Sequence, residues 1–247
     1  MISPSNHVLV TRPAHQSQQL CECLLEAGFK PIAFPTIDIV PLSLDHNKKY
    51  ILENISTFDF VLFISANAVH QVTAYKTLWP SDNTRYIAIG PSTAEAMVAS
   101  LAITPDFISS KPFSSEQLMT QLPSQLADKR ILIIKGEGGR DFLANELKNK
   151  GMIVKTLDTY RRSLPTNIAP HVKHADIAYI TITSILALKN LTLLLQDDFS
   201  TMAKRCVFVL FSERIEQYAK QIGCTHTIVS NNANNDSLVQ AIKQSTH

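Results

Sequence analysis

The sequence has almost no net charge: its 247 residues include 23 lysines and arginines against 21 aspartates and glutamates, a formal charge of +2. A nearly neutral chain gives no electrostatic reason to expect nucleic acid or an anionic membrane as a partner. Residues 1–7 contain no basic, apolar run of the kind that opens a signal peptide. The most apolar stretch, 177–195, is interrupted by threonines, Lys189 and Asn190, which favours a buried strand and helix over a membrane span. We therefore expect a cytoplasmic protein.

Patterns for metal binding and for disulfides are also missing. The four cysteines contain no CxxC pair, which favours reduced, partly buried thiols; they are Cys21, Cys23, Cys206 and Cys224. His171 and His174 have the spacing of one helix face, but no cluster of cysteines or carboxylates completes a ligand set. We therefore predict that these histidines lie at the surface and that no metal is bound.

Motifs for nucleotide binding and for serine hydrolases are incomplete. GEGGRD (136–141) has two glycines of a GxGxxG pattern, but Asp141 stands where the third is needed, and no GxxxxGK[ST] loop occurs. No serine lies in a GxSxG turn. These absences argue against a nucleotide-dependent transferase and predict that no organic cofactor is used.

The chain does contain a repeat of strand–loop–helix units. Hydrophobic residues make up 45% of it and charged residues 18%, which is enough to bury a core. The strand 7–10 precedes a predicted helix over 18–26 that ends at Gly28. The strand 130–134 precedes a predicted loop, 135–140, and a helix over 141–150 that ends at Gly151. Each stop glycine follows the same strand position by 20 residues (28 − 8 and 151 − 131), and the two copies lie 123 residues apart.

Two further pairs of segments repeat in the same way. Residues 84–101 align with 204–222, and residues 58–69 align with 175–188, each with an apolar strand that leads into a helix. Apolar strands that alternate with helices predict parallel sheets covered on both faces. The sequence therefore predicts an α/β fold of two similar lobes, each a parallel sheet flanked by helices.

The loops that follow the strands hold the candidate binding residues. In open parallel sheets, ligands bind where strands lead into helix N-termini, whose unpaired N–H groups suit an anion. The residues predicted to bind the substrate are Arg12, Ser65, Asn67, Gly90, Ser92, Thr93, Gly136, Gly138, Ser184, Ser212 and Arg214. Helix capping is the alternative for each serine, and Ser92-x-x-Glu95 and Ser114-x-x-Gln117 have the capping-box pattern.

Tyr160 stands apart from these loops. It follows a predicted strand at 153–157 and precedes Arg161, Arg162 and Pro165, where the chain would pass from one lobe to the other. A phenol at such a crossover faces the cleft between the lobes and can donate a proton. The alternative is an interface aromatic whose hydroxyl lies in water. The residue types alone leave both interpretations open.

Taken in order, these motifs resemble those of the uroporphyrinogen-III synthase family of tetrapyrrole biosynthesis, and of its bacterial members in particular. The matching segments cover nearly the whole chain and are VLVTRP (8–13), FPTIDI (34–39), SANAV (65–69), AIGPSTAEAM (88–97), GEGGRDFLANELKNKG (136–151), Tyr-Arg-Arg (160–162), SERIEQYA (212–219) and NNANNDSLVQAI (231–242). The resemblance implies that residues 1–36 and 167–247 form one lobe and residues 40–163 the other. Two extended crossings join them, and the active site lies in the cleft between the lobes.

The resemblance also implies the reaction. The linear tetrapyrrole hydroxymethylbilane is cyclised to uroporphyrinogen III, with inversion of ring D, loss of water and no cofactor. Tyr160 is implied as the catalytic residue, a general acid for the departing hydroxyl, and Ser65, Thr93 and Ser184 as hydroxyls that line the cleft. A monomer is expected, in transient contact with hydroxymethylbilane synthase, the enzyme that supplies the substrate.

One segment departs from the family pattern. The C-terminal counterpart of the GPST motif reads Phe211-Ser212-Glu213-Arg214, so an acid and a base replace small residues. Arg214 pairs either with a substrate carboxylate or with Glu213 or Glu216. The rival to an enzyme is a non-catalytic two-lobed ligand-binding protein, which shares the hinged-cleft architecture. Tyr160 at the crossover favours the enzyme.

Overall fold

A computed structural model describes residues 6–81, 83–111, 113, 115–123, 125–138, 141–166 and 176–245. The predictions made for Ser114, Arg140, His171 and His174 concern residues outside these ranges. The chain divides into two compact units. Unit 1 comprises Met1–Asp38 and Ser163–His247, and unit 2 comprises Ile39–Arg162.

Strands and helices alternate along most of the chain. The strands are β1 (His7–Val10), β2 (Lys30–Ala33), β3 (Asp38–Pro41), β4 (Phe60–Phe63), β5 (Arg85–Ala88), β6 (Phe107–Ile108), β7 (Arg130–Gly136), β8 (Ile153–Ser163), β9 (Ile177–Ile182), β10 (Val207–Leu210) and β11 (His226–Val229). The α-helices are α1 (Ala14–Glu26), α2 (His46–Glu53), α3 (Ala66–Gln71), α4 (Pro91–Leu101), α5 (Ser115–Gln121), α6 (Phe142–Asn149), α7 (Ile185–Leu195), α8 (Asp197–Arg205), α9 (Glu213–Gln221) and α10 (Asn235–Ser245). Short 3₁₀ helices cover Ile55–Thr57 and Thr73–Leu78.

Unit 1 is built on a five-stranded sheet in the order β11-β10-β9-β1-β2. Neighbouring strands in this sheet run parallel. Val8 and Val10 of β1 pack with Leu24 of α1 and with Leu238 and Ile242 of α10 in one core cluster. Apolar residues of α1 and α10 thus cover one face of the sheet, and the alternation of strands and helices indicated such a cover.

Unit 2 is built on a six-stranded sheet in the order β3-β8-β7-β4-β5-β6. The pairs formed by β8, β7, β4, β5 and β6 are parallel. Alternate residues of β4 enter different cores: Val61 and Phe63 pack in one cluster with Met97 of α4, and Leu62 packs in another with Leu147 of α6. The sheet is therefore covered on both faces, which confirms the predicted fold class.

The sequence repeat corresponds to equivalent places in the two sheets. β1 lies between β9 and β2, and β7 lies between β4 and β8. The following helices end at Gly28 (φ +85°) and Gly151 (φ +83°), in the left-handed region that glycine adopts without strain. The repeated strand–helix–strand segment comes first in unit 1 and last in unit 2. The strands β9-β1-β2 of unit 1 and β4-β7-β8 of unit 2 therefore correspond in space, although the repeated segment precedes β9 in the chain and follows β4.

Three element boundaries differ from the prediction. The first helix begins at Ala14 rather than 18, with Pro13 at the N-cap. β7 includes Lys135 and Gly136, and β8 runs on to Ser163, because pairing between them continues as far as Gly136 and Tyr160. Tertiary pairing has thus extended strands beyond the apolar runs that predicted them. None of the helices in the described ranges combines the length and the apolar composition that crossing a membrane requires.

Candidate active site

Tyr160 is a buried residue of β8, not a residue that follows the strand. Its side chain is 1% exposed, and it is the bulkiest of the fully buried side chains in the described part of the chain. It belongs to the core cluster of unit 2 that also contains Phe63 and Leu157. The alternative of an aromatic with its hydroxyl in open water is therefore wrong, since the whole side chain is buried.

An irregular register puts Tyr160 in this core. Lys135 of β7 pairs with Asp158, and the next residue, Gly136, pairs with Tyr160, so the register skips Thr159, whose Oγ1 donates to the Lys135 carbonyl at 3.3 Å. One extra residue of this kind reverses the alternation of side chains along a strand. Leu157 and Tyr160, three residues apart, therefore face the same core cluster.

The absence of a side chain at Gly136 lets the ring of Tyr160 lie across β7. A Cβ on Gly136 would lie 2.6 Å from Cζ and 2.7 Å from Cε2 of Tyr160, closer than real Cβ contacts come. The phenol passes over the middle strand and reaches Ser65, which follows β4 on the far side of β7. The glycine that suggested a phosphate loop therefore has a steric role beside a tyrosine.

Two side chains bond to the phenol oxygen. Ser65 Oγ lies 3.0 Å from Tyr160 Oη, and Arg162 Nη2 donates to the same oxygen at 2.8 Å. Ser65 also caps α3, accepting the Ala68 N–H at 3.2 Å, so capping and the site share one hydroxyl. The guanidinium carbon of Arg162 lies 5.2 Å from the centroid of the Tyr160 ring. We call Tyr160, Ser65, Arg162 and Gly136 the Tyr160 cluster.

A pocket of about 200 Å³ adjoins the Tyr160 cluster. Tyr160, Arg162 and Gly136 contribute to its wall, together with Gly138 and Lys135, and residues such as Ile133 and Leu143 make part of it apolar. The wall thus combines apolar side chains with two cations, Lys135 and Arg162, and one acid, Asp141, and such a pocket can take an uncharged ring or a polar arm of a ligand. The predicted residues Gly136, Gly138, Ser65 and Tyr160 are thus brought together.

A depression of about 330 Å³ lies elsewhere, between α1 and α10 of unit 1. Its wall includes Cys23, Glu26, Asp236 and Lys243. These residues lie along helices rather than in the loops after strands, where ligands of parallel sheets bind. We therefore place the candidate site at the Tyr160 cluster.

The other predicted residues of unit 2 lie on α3 and at the start of α4. Asn67 and Thr93 are buried, and Gly90 occupies the N-cap position of α4. The predicted capping box at Ser92 is wrong: Pro91 starts the helix, so Ser92 is its second residue and is exposed. Proline favours the first helical position because its ring fixes a helical φ and it has no N–H to leave unpaired.

Arg12 is the best-anchored of the predicted residues in unit 1. Its Nη1 donates to Asn235 Oδ1 at 2.5 Å, and its guanidinium carbon lies 5.8 Å from the ring centroid of Phe211. Burial lowers the pKa of Arg12 below its ordinary value, because desolvation disfavours the charged form. A bound anion would offset that loss of hydration.

Three more predicted residues lie at helix N-termini of unit 1. Ser184 caps α7 by accepting the Ala187 N–H at 3.0 Å, and Ser212 holds the N-cap position of α9 without a side-chain cap bond. Arg214 is exposed and, within the described ranges, forms no ion pair with Glu213 or Glu216. Glu216 instead pairs with Lys220 at 2.9 Å and accepts from Thr227 at 2.7 Å.

Two residues of the site had no role in the prediction. Arg162 lies two residues after Tyr160, a spacing that puts side chains on one face of a strand once β8 is known to continue. Lys135 pairs with Asp158 at 3.3 Å and donates to the Gly138 carbonyl at 3.2 Å. Lys135 lies 123 residues after Arg12, which is the offset of the repeat. The sequence could therefore have predicted Lys135 as a site residue, as the counterpart of Arg12.

The thiols and potential metal ligands do not gather at this site. Among the described residues, no three histidine, cysteine or carboxylate side chains are grouped so as to hold a metal ion. All four cysteines are free, and Cys206 and Cys224 are buried. Burial raises the pKa of Cys224 to about 12, which disfavours a reactive thiolate.

Comparison with known proteins points to one family. The model of a family described as uroporphyrinogen-III synthase HemD matches residues 18–240. A uroporphyrinogen-III synthase of Proteus mirabilis is 33% identical over 184 residues, which cover 70% of this chain and 90% of the relative. One of Salmonella typhimurium is 29% identical, with 96% of this chain and 99% of the relative covered.

Solved structures share the fold. A mutant uroporphyrinogen III synthase of the extremely thermophilic bacterium Thermus thermophilus superposes with a TM-score of 0.63 at 14% identity, covering 98% of this chain and 99% of that one. A uroporphyrinogen-III synthetase of Helicobacter pylori gives the same TM-score and identity, covering 98% and 100%. At this identity the likeness concerns the two-lobed α/β fold alone.

Proposed function

The chain belongs to the uroporphyrinogen-III synthase family, and we propose that its Tyr160 cluster acts on the substrate. Membership makes the protein an enzyme of porphyrin biosynthesis, a lyase that closes a ring. The reaction that membership implies is cyclisation of hydroxymethylbilane to uroporphyrinogen III, with inversion of ring D, loss of water and no cofactor.

Tyr160 is the proposed general acid for the first step. Its phenol proton passes to the substrate's hydroxyl oxygen as the carbon–oxygen bond breaks, and water leaves. The carbon left behind is an azafulvene cation conjugated with the pyrroles. Ring D then attacks through its substituted carbon to form a spiro intermediate, which fragments and recloses. The rest of the site holds a flexible chain in the geometry that favours this route over direct closure.

The observation that carries this proposal is the position of the phenol oxygen. Tyr160 Oη lies 3.0 Å from Ser65 Oγ and 2.8 Å from Arg162 Nη2, and Tyr160 and Arg162 are among the residues that line a pocket of about 200 Å³. An arginine donates only, so the phenol must accept from Arg162 and keeps its own proton to donate. A substrate hydroxyl in the pocket would take the place of Ser65 as the acceptor.

Carboxylate arms of the substrate are proposed to bind at the loops after the strands. Arg12 suits a carboxylate because an anion would offset the desolvation of its half-buried guanidinium. Lys135 occupies the matching position near the end of the equivalent strand, β7, of unit 2. The other residues proposed to line the binding surface are Asn67, Gly90, Ser92, Thr93, Gly138, Ser184, Ser212 and Arg214.

The proposal extends to the setting of the reaction. We expect a monomer that works in the cytoplasm and receives hydroxymethylbilane from hydroxymethylbilane synthase in a transient contact. Because the linear substrate also closes directly in water, a short transfer between the enzymes would favour the rearranged product.

The test is an isomer assay on the purified chain. Hydroxymethylbilane is generated in the assay by its synthase, and the ratio of type III to type I uroporphyrinogen is measured. We expect the type III isomer with the wild-type chain. Tyr160→Phe should lower kcat about tenfold to a hundredfold, at or below the low end for general acid catalysis, because the pyrrole already activates the leaving group.

Tyr86→Phe is the matched control. Tyr86 is another buried tyrosine of unit 2, and its hydroxyl accepts the Ser81 N–H at 2.8 Å. Both variants lose one phenol oxygen and its hydrogen bonds, which should lower the free energy of unfolding by about 1 kcal/mol. Only Tyr160→Phe should slow catalysis. Formation of the type I isomer alone would overturn the assigned reaction. Full activity of Tyr160→Phe would overturn the role of Tyr160 only.

A further inference from the structure

Arg162, two residues after Tyr160 on β8, makes contacts that indicate a role in the reaction. Its guanidinium touches Tyr160 twice, through a 2.8 Å hydrogen bond to the phenol oxygen and through a 5.2 Å approach to the ring centroid. Residues two apart on a strand share a face, so β8 itself sets this pairing. Arg162 is exposed, whereas Tyr160 is buried, so Arg162 covers the phenol from the solvent side.

We propose that Arg162 is a positioning residue that orients the Tyr160 hydroxyl and stabilises the negative charge left on it after proton donation. The inference rests on the proposed role of Tyr160. Arginine has five N–H donors and no acceptor, so the bond to Arg162 fixes the phenol oxygen as an acceptor on that side. The phenol proton must then point elsewhere, toward Ser65 or a substrate oxygen that replaces it.

The charge balance of the first step gives Arg162 its second task. As the carbon–oxygen bond breaks, its electron pair goes to the departing oxygen, which takes the phenol proton and leaves as water. The phenolate oxygen then accepts a charge-assisted bond from Arg162 and, after rotation of its hydroxyl, one from Ser65. The phenolate recovers a proton when the pyrrole carbon that closes the ring loses its own.

The size of the effect follows from exposure. Removing one buried donor to a developing oxyanion costs about a hundredfold to a thousandfold in kcat. Arg162 is exposed, so water and salt screen its charge and can replace part of the bond. We therefore expect Arg162→Met to lower kcat about tenfold, with KM changed by less than about threefold. Arg162→Lys keeps a cation and a donor and should recover most of that loss.

The experiment is a double-mutant cycle on the full chain. kcat and KM with hydroxymethylbilane are measured for Arg162→Met, Tyr160→Phe and the pair. Because Arg162 acts through the phenol oxygen, Arg162→Met should not slow Tyr160→Phe further. Arg161→Met is the matched control, since Arg161 is the adjacent exposed arginine of the same strand and should change neither constant. Thermal unfolding is followed for every variant, and if Arg162→Met does not fold, Arg162→Lys and Arg162→Gln replace it.

Each unfavourable outcome has its own meaning. An equal loss of kcat in the Tyr160→Phe background would overturn the inference, since Arg162 would then act without the hydroxyl. A rise in KM with kcat unchanged would also overturn it and make Arg162 a ligand for a substrate carboxylate. If Tyr160→Phe is slow while Arg162→Met is as fast as wild type, only the role of Arg162 fails. If Tyr160→Phe is fully active, the proposed role of Tyr160 fails and this one fails with it.

Discussion

Two glycines of the GEG segment, Gly136 and Gly138, differ in what they do for the chain. Gly136 lies in β7 under the ring of Tyr160, where an added Cβ would come within 2.7 Å of two ring atoms. Gly138 has a φ of +71° and open space around it. Position 136 therefore needs glycine because there is no room for a Cβ. Position 138 needs glycine because of its left-handed backbone conformation.

This difference predicts unequal costs of substitution. Gly136→Ala should destabilise the protein by about 2–3 kcal/mol through overpacking and should lower kcat by displacing the phenol. Gly138→Ala meets no neighbour and should cost about 1 kcal/mol from its left-handed φ alone, with a smaller effect on kcat. Urea unfolding and the isomer assay measure both. Equal costs for the two alanine variants would show that the packing of Tyr160 on Gly136 is unimportant.

At the scale of secondary-structure elements, Asp59 joins the starts of three strands. Its carboxylate accepts the Arg130 N–H at 2.8 Å and Lys129 Nζ at 3.0 Å, where β7 begins. Its carbonyl accepts the Arg85 N–H at 2.9 Å, where β5 begins. The bond from the Arg130 N–H and then that from Lys129 lower the pKa of Asp59 below its ordinary value. The aspartate at the start of the repeated strand thus has a structural role.

Asp59→Asn should lower the free energy of unfolding by about 1 kcal/mol at neutral pH. An amide has one acceptor oxygen and no charge, so it cannot accept from both the Arg130 N–H and Lys129 Nζ as the carboxylate does. The pKa of Asp59 is lowered in the folded state, so its contribution is present above the unfolded value and is lost as the pH falls below about 4. The difference between wild type and variant should therefore vanish in acid. Urea unfolding at several pH values measures it.

The control is Asp176→Asn at the start of β9. The ion pair of Asp176 with Arg205 is 3.9 Å long and exposed on both sides, so this variant should cost less than about 0.5 kcal/mol. A pH-independent loss in Asp59→Asn, or an equal loss in Asp176→Asn, would contradict the account.

At the scale of the whole molecule, the two units are composed differently along the chain. Unit 2 is one continuous segment, Ile39–Arg162, and the clusters on both faces of its sheet are formed by its own residues. Unit 1 needs both ends of the chain, since β1 is an interior strand of its sheet, between β9 and β2. Removing residues 1–38 would therefore uncover the edge of β9 and open the core.

We expect the segment 39–162 to fold by itself, with a cooperative thermal transition in far-UV circular dichroism. The segment 163–247 should not fold alone, because it lacks the interior strand β1 and the helix α1 that covers it. Addition of a peptide of residues 1–38 should restore part of its structure. Cooperative folding of 163–247 without that peptide would show that β1 is dispensable.

Much of the fold followed from the sequence because the signals are local. Apolar runs that alternate with helical periodicity predicted the parallel sheets, and the stop glycines Gly28 and Gly151 both have the left-handed φ that ends a helix. Ser65 and Ser184 follow their strands and do cap the next helices. Where several local signals competed, as at Ser92 beside Pro91, the wrong cap was predicted.

The sequence by itself therefore determined the α/β class, the repeat and the loops in which ligands of such sheets bind. Only the tertiary structure decided the arrangement around Tyr160. A single residue that the β7–β8 register skips, Thr159, turns the phenol into the core, and the lack of a side chain at Gly136 lets it reach Ser65. Neither appears in a local pattern, because a shift of one residue in strand pairing reverses every side chain beyond it and depends on the partner strand.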